Sequence, residues 1–288
     1  MRDKDMNLYI HVGPHKTGTS AIQAFMHKNH DALRERGAWY LGWAGATNQT
    51  YLAHAFLKAH PAAPEMLHRY LDAATNAGCD ICILSSEAFS KKDFDPGALL
   101  LSLGASQATF IAYLRRPDDR LVSVFGQLVR QNRRIRPIGE SWRYDPTYRT
   151  YLEKWALAEG HRLLLSPYDV RQWPDGSLVN DFLANVGIDP DGLDRSMERQ
   201  ETNRSLPGSL TEALRLANGL DISEETRQEF LLGLQALAES RPDLFAGGDL
   251  LDTGQRIALR QELRDSLDVW RQYYRPGFDE RFLFEEDS

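Results

Sequence analysis

The stretch Tyr9-Ile10-His11-Val12-Gly13-Pro14-His15-Lys16-Thr17-Gly18-Thr19-Ser20 decides how the rest of this chain is read. It reads as a short strand over residues 8–12, a glycine-rich turn, and a helix that starts at Thr19 and runs to about residue 36. Such a turn aims several backbone N–H groups and the positive end of a helix at one point, which suits a phosphate. Lys16 adds a full charge there, and Thr17, Thr19 and Ser20 add hydroxyl donors. The order of residues is unusual. A nucleoside triphosphatase loop reads G-x-x-x-x-G-K-[ST], with the lysine after the second glycine. Here Lys16 precedes Gly18, in the order G-P-H-K-T-G-T-S, which argues against that class.

Outward from the loop, the first helix carries Ala21, Ile22, Phe25 and Met26 on one face, and Gly37 supplies a stop. Helical patterns follow near 48–60 and 64–77, with strands at 80–85, 107–114 and 161–166 alternating with helices at 116–134 and 145–159. This alternation predicts an α/β fold with a central parallel sheet covered by helices on both faces. The remainder reads as helices at 177–186, 208–219, 223–240 and 254–274. Ligands of such sheets bind beyond the carboxyl ends of the strands. The segments 13–20 and 85–87, and Arg115, all fall there.

A second segment, Phe110-Ile111-Ala112-Tyr113-Leu114-Arg115-Arg116-Pro117-Asp118-Asp119-Arg120-Leu121-Val122-Ser123, gives the loop its partner. Together the two resemble the phosphosulfate loop and the 3′-phosphate motif of sulfotransferases that use 3′-phosphoadenosine-5′-phosphosulfate (PAPS), bacterial members of that superfamily included. The resemblance covers residues 7–190 and implies a P-loop-type three-layer sandwich, a single domain over 1–288, and a helical extension over about 200–288. It implies that His15, Lys16, Thr17, Gly18, Thr19 and Ser20 hold the phosphosulfate. Arg115 and Ser123, eight residues apart, would hold the 3′-phosphate. Asn203, Arg204 and Ser205 look like the late loop that reaches that phosphate. Cytosolic members carry Arg-Lys-Gly there, and this chain has none.

Transfer of a sulfuryl group needs a base for the acceptor's proton. Glu87, in Ser85-Ser86-Glu87 at the end of a strand, is one candidate, and His54 in an amphipathic helix is the other. Each has a plainer reading: Glu87 as a helix cap or ion-pair partner, His54 as a structural histidine. Lys16 would stabilise charge on the leaving oxygen. The implied products are a sulfated acceptor and 3′-phosphoadenosine-5′-phosphate (PAP), with no metal required. The acceptor is expected to be a carbohydrate, a glycolipid or a small metabolite, with Trp39, Tyr40, Trp43, Tyr51 and Trp142 available to line its site. A small-molecule kinase with an atypical loop, or a non-catalytic nucleotide-binding protein, are the rival readings.

Composition limits the remaining classes. The formal net charge of -7 argues against nucleic acid or anionic membranes as partners. The polar start and the lack of a long apolar run predict a cytoplasmic chain without a membrane segment. Cys79 and Cys82 form a C-x-x-C, but on a buried strand and without a second pair, so they read as structural. His11 and His15 have a spacing that would suit a metal only on a helix, and no metal site is assigned. The basic run from Arg130 to Arg136, with Arg143 beyond, reads either as an anion-binding patch or as a solvated helix end.

Overall fold

The almost continuous apolar run Ala108–Leu114 lacks the alternation of a half-exposed strand, and it lies well inside the sheet. In the computed structural model, which describes residues 6–14, 16–43, 45–104, 107–131, 133–140, 148–197, 206–245 and 249–285, five strands form one parallel sheet. They are β1 (Asn7–His11), β2 (Ala38–Trp39), β3 (Ile81–Ser85), β4 (Ala108–Leu114) and β5 (Arg162–Pro167), in the order β2-β3-β1-β4-β5. β1 pairs with β3 on one side and β4 on the other, with His11 opposite Ser85 and Ile111.

The helices among the described residues are α1 (Thr19–Lys28), α2 (His30–Glu35), α3 (Thr50–Leu57), α4 (Ala63–Asn76), α5 (Gly97–Leu103), α6 (Pro117–Gln131), α7 (Arg149–Ala156), α8 (Leu178–Asn185), α9 (Gly208–Ala217), α10 (Glu224–Ser240) and α11 (Thr253–Asp268). The helix expected over 19–36 is interrupted at Asn29. This buried side chain donates to the Phe25 carbonyl and exchanges hydrogen bonds with the backbone of Asp194, so it competes with the helix ladder. α5 follows Pro96 and was not legible in the apolar run Leu99-Leu100-Leu101, while the C-terminal pattern ends at Asp268 rather than near 274.

Contacts divide the chain into two compact units. The first comprises Met1–Arg115, Tyr148–Gln200 and Leu267–Glu280 and contains the whole sheet. Its strands alternate between two buried faces. Ile83, Ile111 and Tyr113 pack on Ile22, Phe25 and Met26 of α1 and on Val179, Phe182 and Leu183 of α8. On the other face Phe110 meets Trp155 of α7, with ring centroids 4.5 Å apart. Cys82 is fully buried in β3 and Cys79 is buried just before it; both are free thiols, and burial pushes both pKa values up.

The second unit comprises Arg116–Thr147, Glu201–Ser266 and Arg281–Ser288. Phe125 and Val129 of α6 share a core with Leu210 and Leu214 of α9 and Leu234 of α10. The buried Arg227 donates to the carbonyls of Val129 and Arg130, placing a cation on the open end of α6. Arg133 pairs with Glu224, so the basic run is engaged at this helix end, and Arg143 lies outside the described residues.

Within the first unit the segment after α11 closes on the sheet. Tyr274 bridges to Leu165 of β5, and Arg275 N donates to the Leu165 carbonyl at 2.9 Å. The Arg275 guanidinium then meets Asp181 at 2.8 Å, and Tyr113 Oη donates to the same carboxylate at 2.9 Å. Burial raises the pKa of Asp181, against the opposing pull of Arg275 and the Tyr113 hydrogen bond. Removing one partner of a buried pair strands the other. Arg275→Met is therefore expected to cost about 3 kcal/mol in urea denaturation, and an unchanged midpoint would contradict this account of the clasp.

Candidate functional site

Because β1 lies between β3 and β4, the turn that leaves it opens where three strands end. The backbone there is strained in a specific way. Lys16 has φ 71° and Gly18 has φ 75°, both left-handed. For a lysine this conformation costs about 1 kcal/mol or more, and such strain concentrates at ligand-binding loops. Alternating left-handed residues turn successive amides toward one concave point. Gly18 is the N-cap of α1 and makes no side-chain cap; its carbonyl accepts from the Ala21 and Ile22 amides, which leaves the Thr19 and Ser20 amides without an acceptor in the helix. Ser20 lies exposed in that first turn and is not the cap.

The hydroxyls divide into two kinds. Thr17 Oγ1 donates to the Pro14 carbonyl at 2.7 Å and so holds the turn. Thr19 is 2% exposed, yet its Oγ1 has no hydrogen-bond partner. A Cβ added at Gly13 would lie 2.2 Å from that oxygen, so the glycine keeps the space in front of the hydroxyl open. A Cβ at Gly18 would sit 2.2 Å from Leu178 Cδ2 and 2.9 Å from Tyr168 Cε2, besides being strained at that φ. An orphaned donor facing a glycine-lined cradle fits a ligand rich in acceptor oxygens. His15 lies outside the described residues.

Arg115 leaves the end of β4 and reaches back to the loop, where its Nη1 donates to the Lys16 carbonyl at 3.2 Å. Its guanidinium carbon lies 5.3 Å from the centre of the Tyr168 ring. The buried Tyr148 hydroxyl bonds to both the amide and the carbonyl of Arg115, at 2.8 and 2.9 Å, which fixes that residue's backbone. Arg116, next in sequence, instead pairs with Asp118 and Asp119 in the second unit. Ser123 stands half-buried on α6, in that same unit. Asn203, Arg204 and Ser205 lie outside the described residues.

At the end of β3, Ser86 caps a single 3-10 turn, Glu87–Ser90, accepting from the Ala88 amide at 3.1 Å. Glu87 is the first residue of that turn and is half-buried. Ser90 Oγ donates to the Gly13 carbonyl at 3.2 Å, which ties the turn to the loop that leaves β1. Thr50 Oγ1 lies 3.0 Å from Ser86 Oγ, and His54 follows one turn later on α3. His54 Nε2 lies 3.3 Å from Lys91 Nζ. An ammonium has no lone pair, so the imidazole is the acceptor in that contact. Burial, then the charges of Lys91 and Lys58, lower the pKa of His54.

A polar layer that the sequence reading missed lies beneath these groups. His11 Nδ1 is 2.9 Å from Ser85 Oγ, which also accepts from Gln23 Nε2 at 3.0 Å. Gln23 in turn receives Asn48 Nδ2 at 2.9 Å, and Gln49 accepts the Ser85 amide at 2.6 Å. The only signal for this layer in the sequence was polar residues at positions where an apolar face was expected. Trp43 stacks at 6.5 Å on Tyr70, Trp39 meets the same ring edge-on, Tyr51 is exposed, and Trp142 lies outside the described residues. Among the described residues, no group of three or more His, Cys, Asp or Glu side chains is placed to hold a metal ion. No described helix is long and apolar enough to cross a membrane.

No protein-family model and no curated protein sequence matches the chain. Among solved structures it is similar to the crystal structure of a sulfotransferase from Alicyclobacillus acidocaldarius. That likeness has 15% sequence identity, covers 83% of this chain and 96% of that chain, and has a TM-score of 0.36.

The buried His11 makes the layer pH-sensitive. Burial lowers its pKa from 6.5 to about 4, against a weaker opposing pull from Glu87. The unfolded chain therefore binds the proton more readily, and stability falls as pH drops from 6.5 toward 4. Denaturation midpoints measured across that window should fall more steeply for the wild type than for His11→Asn. Equal slopes would remove His11 from the explanation.

Proposed function

We propose that the chain is a PAPS-dependent sulfotransferase that acts on a hydroxyl or amine, with a carbohydrate or glycolipid as the favoured acceptor. The observation that carries the reading is the loop itself: left-handed Lys16 and Gly18, the orphaned Thr19 hydroxyl, and the Arg115 guanidinium braced on the Lys16 carbonyl. A donor with phosphates at both ends suits two separate cationic groups, one on the loop and one after β4. The resemblance to sulfotransferases assigns that end of the donor to Ser123 as well.

In the proposed reaction Glu87 takes the proton from the acceptor hydroxyl as its oxygen bonds to sulfur. The bond from sulfur to the bridging oxygen breaks, and Lys16 with the loop amides holds the charge left on PAP. Glu87 is preferred to His54 because Lys91 occupies the His54 Nε2 lone pair and neighbouring cations disfavour a second proton there. Lys16 acts as a fixed charge, which this chemistry uses where a kinase uses magnesium.

Isothermal titration with PAP tests the donor site. Lys16→Ala and Arg115→Ala should each weaken binding about tenfold or more, the loss of a charge-assisted hydrogen bond. A well-folded wild type that ignores PAP, or variants that bind as the wild type does, would overturn the reading. Magnesium-dependent ATP binding in place of PAP binding would assign a kinase. For the base, Glu87→Gln should keep PAP affinity while losing transfer by roughly 10²- to 10⁴-fold. His54→Gln should retain most of it, and the reverse order would exchange their roles.

A further inference from the structure

The cations around His54 have no assigned purpose in donor binding. Lys91 follows the 3-10 turn, next to the Ser90 that holds the Gly13 carbonyl. Its half-buried ammonium has a neutral imidazole as its hydrogen-bond partner. Lys154 of α7 reaches the backbone of the same residue: its ammonium donates to the Lys91 carbonyl and lies 5.6 Å from the Phe94 ring centre. Neither lysine has a carboxylate at ion-pair distance among the described residues. Asp93 and Asp95 act on Lys154 only from further off, and burial outweighs them, lowering its pKa to about 8. Lys58 adds a second positive charge felt by His54, beside that of Lys91. In a chain of net charge -7, this is a local concentration of cations with no carboxylate in direct contact.

Desolvated ammonium groups without an anion are costly, and a ligand carboxylate would satisfy them with charge-assisted hydrogen bonds. We propose that Lys91 and Lys154 form an anion subsite for the acceptor, which therefore carries a carboxylate close to the group that is modified. The name acceptor rests on the sulfotransferase reading; the anion subsite rests on the lysines alone. A uronic-acid sugar has this chemistry, with a carboxylate and free hydroxyls on one ring. Lys91 would bridge the carboxylate and His54, and Glu87 would face the hydroxyl from the first position of the turn that Lys91 follows.

The probes are acetate, D-galacturonate and D-galactose, titrated into the full chain with and without saturating PAP and balanced with sodium chloride. The readout is the imidazole Cε1–H resonance of His54, assigned with His54→Gln. Acetate and galacturonate should raise the His54 pKa by cancelling positive charge, and galactose and chloride should not. In Lys91→Met the His54 pKa should rise without any probe, and the response to acetate should disappear. In Lys154→Met, which removes the ammonium and keeps an unbranched side chain, the response should weaken.

The absence of any response to acetate and galacturonate in the wild type would overturn the proposal. So would a response that survives in both variants. A loss of PAP affinity in Lys91→Met comparable with that in Lys16→Ala would also overturn it, by assigning the lysine to the donor. Absence of PAP binding in the wild type would remove the sulfotransferase reading while leaving the anion response to be read by itself.

Discussion

The arrangement depends on β1 being flanked in parallel by both β3 and β4. A parallel strand in that position must turn sharply at its carboxyl end to enter a covering helix. Here the turn runs from Gly13 to Gly18, and the backbone meets the demand by adopting left-handed conformations at Lys16 and Gly18. The same pairing delivers Ser85 and Leu114 to the same edge, so the turn is met by the Glu87 segment from one neighbour and by Arg115 from the other. Strand order thus acts on chemistry: it decides which side chains meet at the loop.

Beneath that loop the sheet is unusually polar. His11, Ser85, Gln23, Asn48 and Gln49 form one hydrogen-bonded layer, with the imidazole in its neutral form. A layer of this kind fixes side-chain positions more sharply than apolar contacts do, because each unmet bond is costly. It links the start of α3 to the end of β3, and so sets the spacing between His54 and Glu87. Arg115 is set in a similar way by Tyr148, whose one hydroxyl engages both of its backbone polar groups.

The strands and the loop were legible in the sequence because their signals are local. An apolar run such as residues 108–114 has few alternatives, and a glycine-rich turn between a strand and a helix has a definite geometry. What was not legible depended on partners distant in sequence. The break at Asn29 requires Asp194, 165 residues away. The membership of α6 in the second unit requires the apolar faces of α9 and α10, which a window along α6 does not contain. Glu87 and His54 were recognisable as candidates from their local settings, but Lys91 and Lys154 were invisible. A lysine becomes informative only when its neighbours show that no carboxylate answers it.

The left-handed backbone at Lys16 has a further consequence for affinity. Thr17 on the Pro14 carbonyl, Arg115 on the Lys16 carbonyl and Ser90 on the Gly13 carbonyl hold the turn in its concave form through bonds internal to the protein. On the proposed function, an anion bound there would meet amides already oriented, so little conformational entropy would be lost on association. Discrimination between ligands would then fall on shape and charge, with the loop a rigid gauge of the group placed in it.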